Sequence, residues 1–128
     1  MNNGIILLIA RLLLAVIFIM AGFSKLGNIA GTAGYIGSVG LPMGTLLAWG
    51  AAIFEIVAGI AIAAGFMTKL AAWALAAFCV VSAVIFHNNF ADQIQSILFM
   101  KNLAMAGGFL ALSVAGAGSL SVDAKRGT

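Results

Sequence analysis

Charge is what this sequence has least of. Six of its 128 residues are Lys or Arg and three are Asp or Glu, a charged share of 7% against 64% hydrophobic. A soluble domain carries about a quarter charged residues. Too little polar surface remains here to cover a soluble core, so lipid is the expected solvent. The formal charge of +3 is scattered, and the longest basic run is Lys125-Arg126. That excludes a basic patch for nucleic acid. The single cysteine, Cys79, excludes an intrachain disulfide and an intrachain dithiol redox pair. Lying in an apolar run, it reads as a small hydrophobe. One histidine, one cysteine and three scattered carboxylates make no ligand set with recognisable spacing, so no metal site is expected. There is no Walker loop, and the glycines at 31, 34, 37 and 40 follow no strand, so a nucleotide reading fails.

Long apolar runs are there instead. Residues 4–23, 46–66, 70–87 and 97–117 each have the length and composition of a membrane-spanning helix. The first run lacks a basic n-region and holds Arg11 inside it, so it reads as a retained helix rather than a signal peptide. Arg11, Ala15, Phe18, Gly22 and Lys25 recur at helical spacing and share a face. Residues 24–45 form the longest connection, too glycine-rich for a fifth span. Residues 32–39 are expected to form a short helix on the membrane surface, anchored by Tyr35 and ended by Gly40. Pro42 is placed in the first turn of the next helix. The fold predicted is all-α: a four-helix transmembrane bundle with a short interfacial helix between spans one and two. It forms one integral membrane domain over residues 1–128.

Glu55 lies near the middle of the second run and shares a face with Ala48, Ala52 and Gly59. Small residues mark close helix approach, so Glu55 should point into the bundle. Thr68 is the expected N-cap of span three, and Asp92-Gln93-Ile94-Gln95 has the form of an Asp-led capping box. Four spans put both termini on one side. That side holds Lys69, Lys125 and Arg126, against Lys25 and Lys101 on the other, which favours cytoplasmic termini.

A carboxylate at mid-depth needs compensation. At ~1.5 Å per residue, Glu55 lies roughly 13 Å and Arg11 roughly 18 Å from the outer ends of their spans. An Arg11–Glu55 pair is therefore expected if spans one and two are neighbours. Lys25, Lys101, Asn102 and His87 lie at or near the outer end, where they would ring a vestibule above Glu55. Such a pocket suits a quinone-like or anionic ligand, or a proton relay through Glu55 and His87. The plainer reading has an internal Arg–Glu pair fixing helix register, with Lys25 and Lys69 snorkelling to headgroups.

The chain resembles the DoxX family of small bacterial inner-membrane proteins, especially its short four-span stand-alone members. The matching pieces begin with Ala10-Arg11-Leu12, Gly22-Phe23-Ser24-Lys25-Leu26 and Gly40-Leu41-Pro42. They continue with Glu55, Gly65-Phe66-Met67-Thr68, Phe86-His87-Asn88-Asn89-Phe90 and Phe99-Met100-Lys101-Asn102-Leu103. Gly116-Ala117-Gly118-Ser119-Leu120-Ser121-Val122-Asp123 closes the series. The resemblance implies a multi-pass protein of the bacterial cytoplasmic (inner) membrane. Some relatives are subunits of a thiosulfate:quinone oxidoreductase or partners of membrane redox enzymes. It implies a role for Arg11, Lys25, Glu55, His87, Lys101 and Asn102.

Three functions stay open at this stage. One is a redox-associated subunit with an outward-facing polar pocket for a quinone or small anion, working with a membrane redox enzyme. The chain carries no appended soluble redox domain, which argues against independent catalysis; no covalent cofactor is expected. The second is a small proton-coupled transporter or channel, acting as a homo-oligomer with Glu55 as the coupling carboxylate. The third is a non-catalytic assembly or stress protein whose polar residues only set register.

Overall fold

The computed structural model describes residues 3–127. Six helices follow in order: α1 Asn3–Leu26, α2 Ile29–Ser38, α3 Gly44–Ala64, α4 Thr68–Phe86, α5 Gln93–Ala115 and α6 Val122–Arg126. α1, α3, α4 and α5 have 24, 21, 19 and 23 residues and are long and apolar enough to cross a membrane. α2, of 10 residues, is the short helix expected between the first two spans. The all-α four-helix bundle is thus the fold.

α1 and α3 pack as one pair and α4 with α5 as another, while α2 lies on α3. Small residues set the first pair. A Cβ on Gly22 would come 2.5 Å from Ile56 Cγ1 and 2.8 Å from the Ala52 carbonyl oxygen. One on Gly59 would come 2.8 Å from Ile19 Cγ1. Each helix therefore offers a notch to the other, and the two notches fix an antiparallel register. The buried face of α1 is Gly4, Arg11, Ala15, Phe18 and Gly22, the face that helical spacing selects. The outer faces are apolar and exposed, as at Leu13, Val57, Leu70 and Val114. Those faces meet acyl chains.

The bundle has two unlike halves. In the half nearer the termini, Phe109, Leu75 and Ile62 are fully buried in one apolar cluster. Phe18 meets Phe109 edge-on there, with centroids 5.6 Å apart. In the distal half, residues of α1, α2, α3, α4 and α5 border an open space.

Several helix ends differ from expectation, each for a local reason. α2 starts three residues early because Asn28 caps it, its side chain accepting from the Gly31 amide at 3.0 Å. Pro42 precedes α3 rather than entering it; the helix starts at Gly44, after Met43 in a left-handed conformation with φ 59°. Thr68 is the first residue of α4, not its N-cap. The capping there comes from Asp123, whose carboxylate accepts from the Met67 and Thr68 amides at 2.8 and 2.9 Å. Asp92 caps α5 as expected, accepting from the Ile94 amide at 3.0 Å. Gln95, the fourth member of that capping box, bonds elsewhere.

Candidate functional site

Glu55 sits on the inward face of α3 and is 4% exposed. Ala52 and Ile56 flank it, and these are the residues against which Gly22 of α1 is pressed. The close approach at Gly22 brings Lys25, one turn further along α1, over the carboxylate. Lys25 Nζ donates to both oxygens, at 3.0 Å to Oε1 and 2.9 Å to Oε2. Lys25 also stands in the last turn of α1, where the helix dipole favours a cation. Its side chain keeps 28% of its surface exposed, against 5% for Glu55.

Glu55 does not pair with Arg11, and Lys25 does not serve as a headgroup anchor; both expectations are corrected. The register fixed by Gly22 and Gly59 sets Arg11 opposite Gly65, at the far end of α3. Glu55 lies ten residues back along α3, roughly 15 Å at ~1.5 Å per residue, beyond an arginine's reach. Arg11 is fully buried there. Its Nη1 donates to the carbonyl oxygen of Ala63 at 3.0 Å and its Nη2 to that of Leu120 at 2.5 Å. It thus satisfies carbonyls left open at the C-terminal end of α3 and ties the 116–127 segment to the bundle. Gly65, with φ 72°, ends α3 and leaves room for the guanidinium.

The Lys25–Glu55 pair forms part of the wall of a distal cavity of about 1280 Å³ between the two helix pairs. Phe18, Phe54, Phe78 and Met105 give the wall much of its apolar surface. Tyr35, His87, Lys101 and Asn102 also line it. Of the six polar residues selected from the sequence, five border this space, and Arg11 lies in the opposite half. Asn102 Nδ2 donates to the Leu98 carbonyl oxygen at 3.1 Å. Tyr35 holds α2 to the end of α4: its hydroxyl donates to the Phe86 carbonyl oxygen at 3.4 Å and its ring meets Phe86 edge-on. His87 caps α4 at its C-terminus and bonds Gln95 Oε1 through Nδ1 at 2.7 Å. No group of three or more metal-binding side chains occurs among the described residues.

Sequence reasoning missed Gln95 and Asp123. Gln95 was absorbed by the capping-box pattern, which does reflect where α5 begins. Asp123 sits in a polar tail, and its only signal was its place in the Gly116–Asp123 run shared with the DoxX family.

The DoxX family's sequence profile matches residues 6–88, from α1 through Asn88. Inner membrane protein YqjF of Escherichia coli K12 is 41% identical over 116 residues, covering 91% of this chain and 88% of that protein. Inner membrane protein YphA of the same organism is 38% identical over 124 residues, covering 93% of this chain and 89% of that protein. No solved structure matches the chain. With a matched profile across more than half its length and two near-full-length relatives, the chain belongs to the DoxX family.

Proposed function

We propose that this protein is a redox-associated subunit of the bacterial inner membrane that holds a quinone-like amphiphile in its distal cavity. The single observation that carries this reading is the cavity's make-up. About 1280 Å³ is bounded largely by aromatic and aliphatic side chains, with a few polar groups at defined places. That is the pattern of a site for an apolar ring system bearing polar substituents. A small anion is a poorer fit, because Glu55 already neutralises Lys25 and leaves Lys101 as the unpaired cation on the wall. A continuous transport path is a poorer fit as well, since buried Phe109, Leu75 and Ile62 fill the other half.

In this reading the chain binds and orients the ligand, and a membrane redox enzyme exchanges electrons with it. The inner-membrane location follows the two E. coli relatives. Lys69, Lys125 and Arg126 lie at the terminal end, while one of the two distal lysines is consumed by Glu55. That balance supports cytoplasmic termini and an outward-facing cavity.

The test is equilibrium binding of a decyl-benzoquinone to the protein in nanodiscs, for wild type and Ala51→Trp. Ala51 lines the cavity, and an indole there would project into it and take space a ligand ring needs. Saturable binding weakened by roughly tenfold or more in Ala51→Trp, the scale of one lost apolar contact surface, is expected. Absent binding, or binding indifferent to the indole, would overturn the reading.

A further inference from the structure

His87 and Gln95 carry more information than their place on the cavity wall. They sit at facing helix ends: His87 caps the C-terminus of α4, and Gln95 lies in the first turn of α5, whose start Asp92 fixes. Gln95 Oε1 lies 2.7 Å from His87 Nδ1. A carbonyl oxygen only accepts, so Nδ1 must carry the proton. In the neutral ring Nε2 is then bare and can only accept. This is the reverse of the tautomer a free imidazole prefers. His87 borders the cavity and Gln95 does not, and with Nδ1 engaged by Gln95 the ring nitrogen left for a ligand is Nε2.

The other polar groups on the wall serve either form of a ligand. Lys101 only donates, while the Glu55 carboxylate, though held by Lys25, keeps lone pairs that accept. Tyr35 spends its proton on the Phe86 carbonyl, and its oxygen still accepts. The difference between the two forms therefore falls to His87, where a ligand hydroxyl finds an acceptor. A ligand carbonyl finds none of what it needs there, since two acceptors face each other.

We propose that Gln95 is a positioning residue that locks His87 as a hydrogen-bond acceptor, so that the cavity selects the hydroquinone form of its ligand over the quinone. This rests on the quinone-type reading of the cavity and names the redox state that the site prefers. It makes the protein a holder of reduced carrier, which a partner enzyme of the membrane would either supply or oxidise.

The chain's single histidine makes the claim directly measurable. Protein labelled with 15N-histidine, in nanodiscs at mildly alkaline pH, gives two imidazole nitrogen signals that can belong only to His87. Wild type is expected to show Nδ1 protonated and Nε2 bare, with the proton moving to Nε2 in Gln95→Leu. Gln95→Glu keeps an oxygen acceptor and should keep the wild-type tautomer. In parallel, anaerobic binding of decyl-benzohydroquinone and decyl-benzoquinone is compared. One hydrogen bond predicts a hydroquinone preference of roughly tenfold in wild type and Gln95→Glu, falling to about one in Gln95→Leu and His87→Phe. Quinone affinity should stay within about twofold throughout. A protonated Nε2 in wild type, a tautomer indifferent to Gln95→Leu, or equal binding of both forms would overturn this inference and leave the cavity reading intact. Failure of both forms to bind wild type would overturn the cavity reading itself, and this inference with it.

Discussion

A carboxylate that is 4% exposed and a lysine side chain that is 28% exposed do not share their burden equally. Removing Lys25 leaves the Glu55 carboxyl enclosed without its partner, whereas removing the charge of Glu55 lets Lys25 swing toward the distal interface. Lys25→Met should therefore cost about 3–5 kcal/mol, the range for one broken buried pair, and Glu55→Gln distinctly less. Thermal unfolding in detergent checks the asymmetry. The double variant Lys25→Met/Glu55→Leu should regain most of the lost stability, because a well-packed apolar pair often replaces a buried ion pair at little cost. Much of this was legible in the sequence. Glu55 among alanines and glycine had to face inward, and Arg11 and Lys25 had to share the inner face of α1. Which cation answers Glu55 was not legible. Depth counted from span ends carries an error of a few residues per helix, and a two-turn error exchanges one partner for another. The register depends on where Gly22 and Gly59 seat, which is a property of two helices together.

At the scale of the elements, glycine position decides helix approach. Gly59→Leu should separate α1 from α3 and weaken the fold, since even a Cβ there meets Ile19 at 2.8 Å. Gly50→Ala, where a Cβ meets nothing within 4 Å, should be tolerated or slightly stabilising. The pair of variants, compared by thermal unfolding, separates a packing glycine from an incidental one. The α3–α4 turn depends on Asp123, which caps α4 from more than fifty residues away in sequence. Asp123→Ala should cost about 1 kcal/mol, the usual value of an N-cap. It should also raise amide exchange across residues 119–127 and 65–68. A cap supplied locally, as by Asn28 or Asp92, can be read from its neighbours. One supplied from the other end of the chain cannot, and Thr68 was the nearer but wrong choice for that reason.

Taken whole, the bundle is solid where the termini gather and hollow at the other end. Arg11, Gly65, Leu120 and Asp123 close the solid end by tying the last residues to α3 and α4. Lys25, Glu55, His87 and Lys101 border the hollow one. The sequence gives the number of spans readily, because a run of apolar residues long enough to cross lipid has few other uses. It is silent on the hollow, which is bordered jointly by the α1–α3 pair, the α4–α5 pair and α2. With cytoplasmic termini, a cysteine introduced at Asn88 should react with a membrane-impermeant maleimide in intact spheroplasts, and one at Lys125 only after lysis. The native Cys79 is fully buried and should stay silent in both. The opposite pattern would invert the orientation.

The most direct test of an amphiphile held in the distal hollow is to find where it touches the protein. A decyl-benzoquinone carrying a photoactivated diazirine on its ring is irradiated with the protein in nanodiscs, and adducts are mapped by peptide mass spectrometry. Adducts on the cavity side, at Phe54, Phe78 or Met105, suppressed by excess unlabelled ligand and by Ala51→Trp, are the predicted result. Adducts spread over the outer faces, at residues such as Leu13, Val57 and Val114, and indifferent to both, would contradict it.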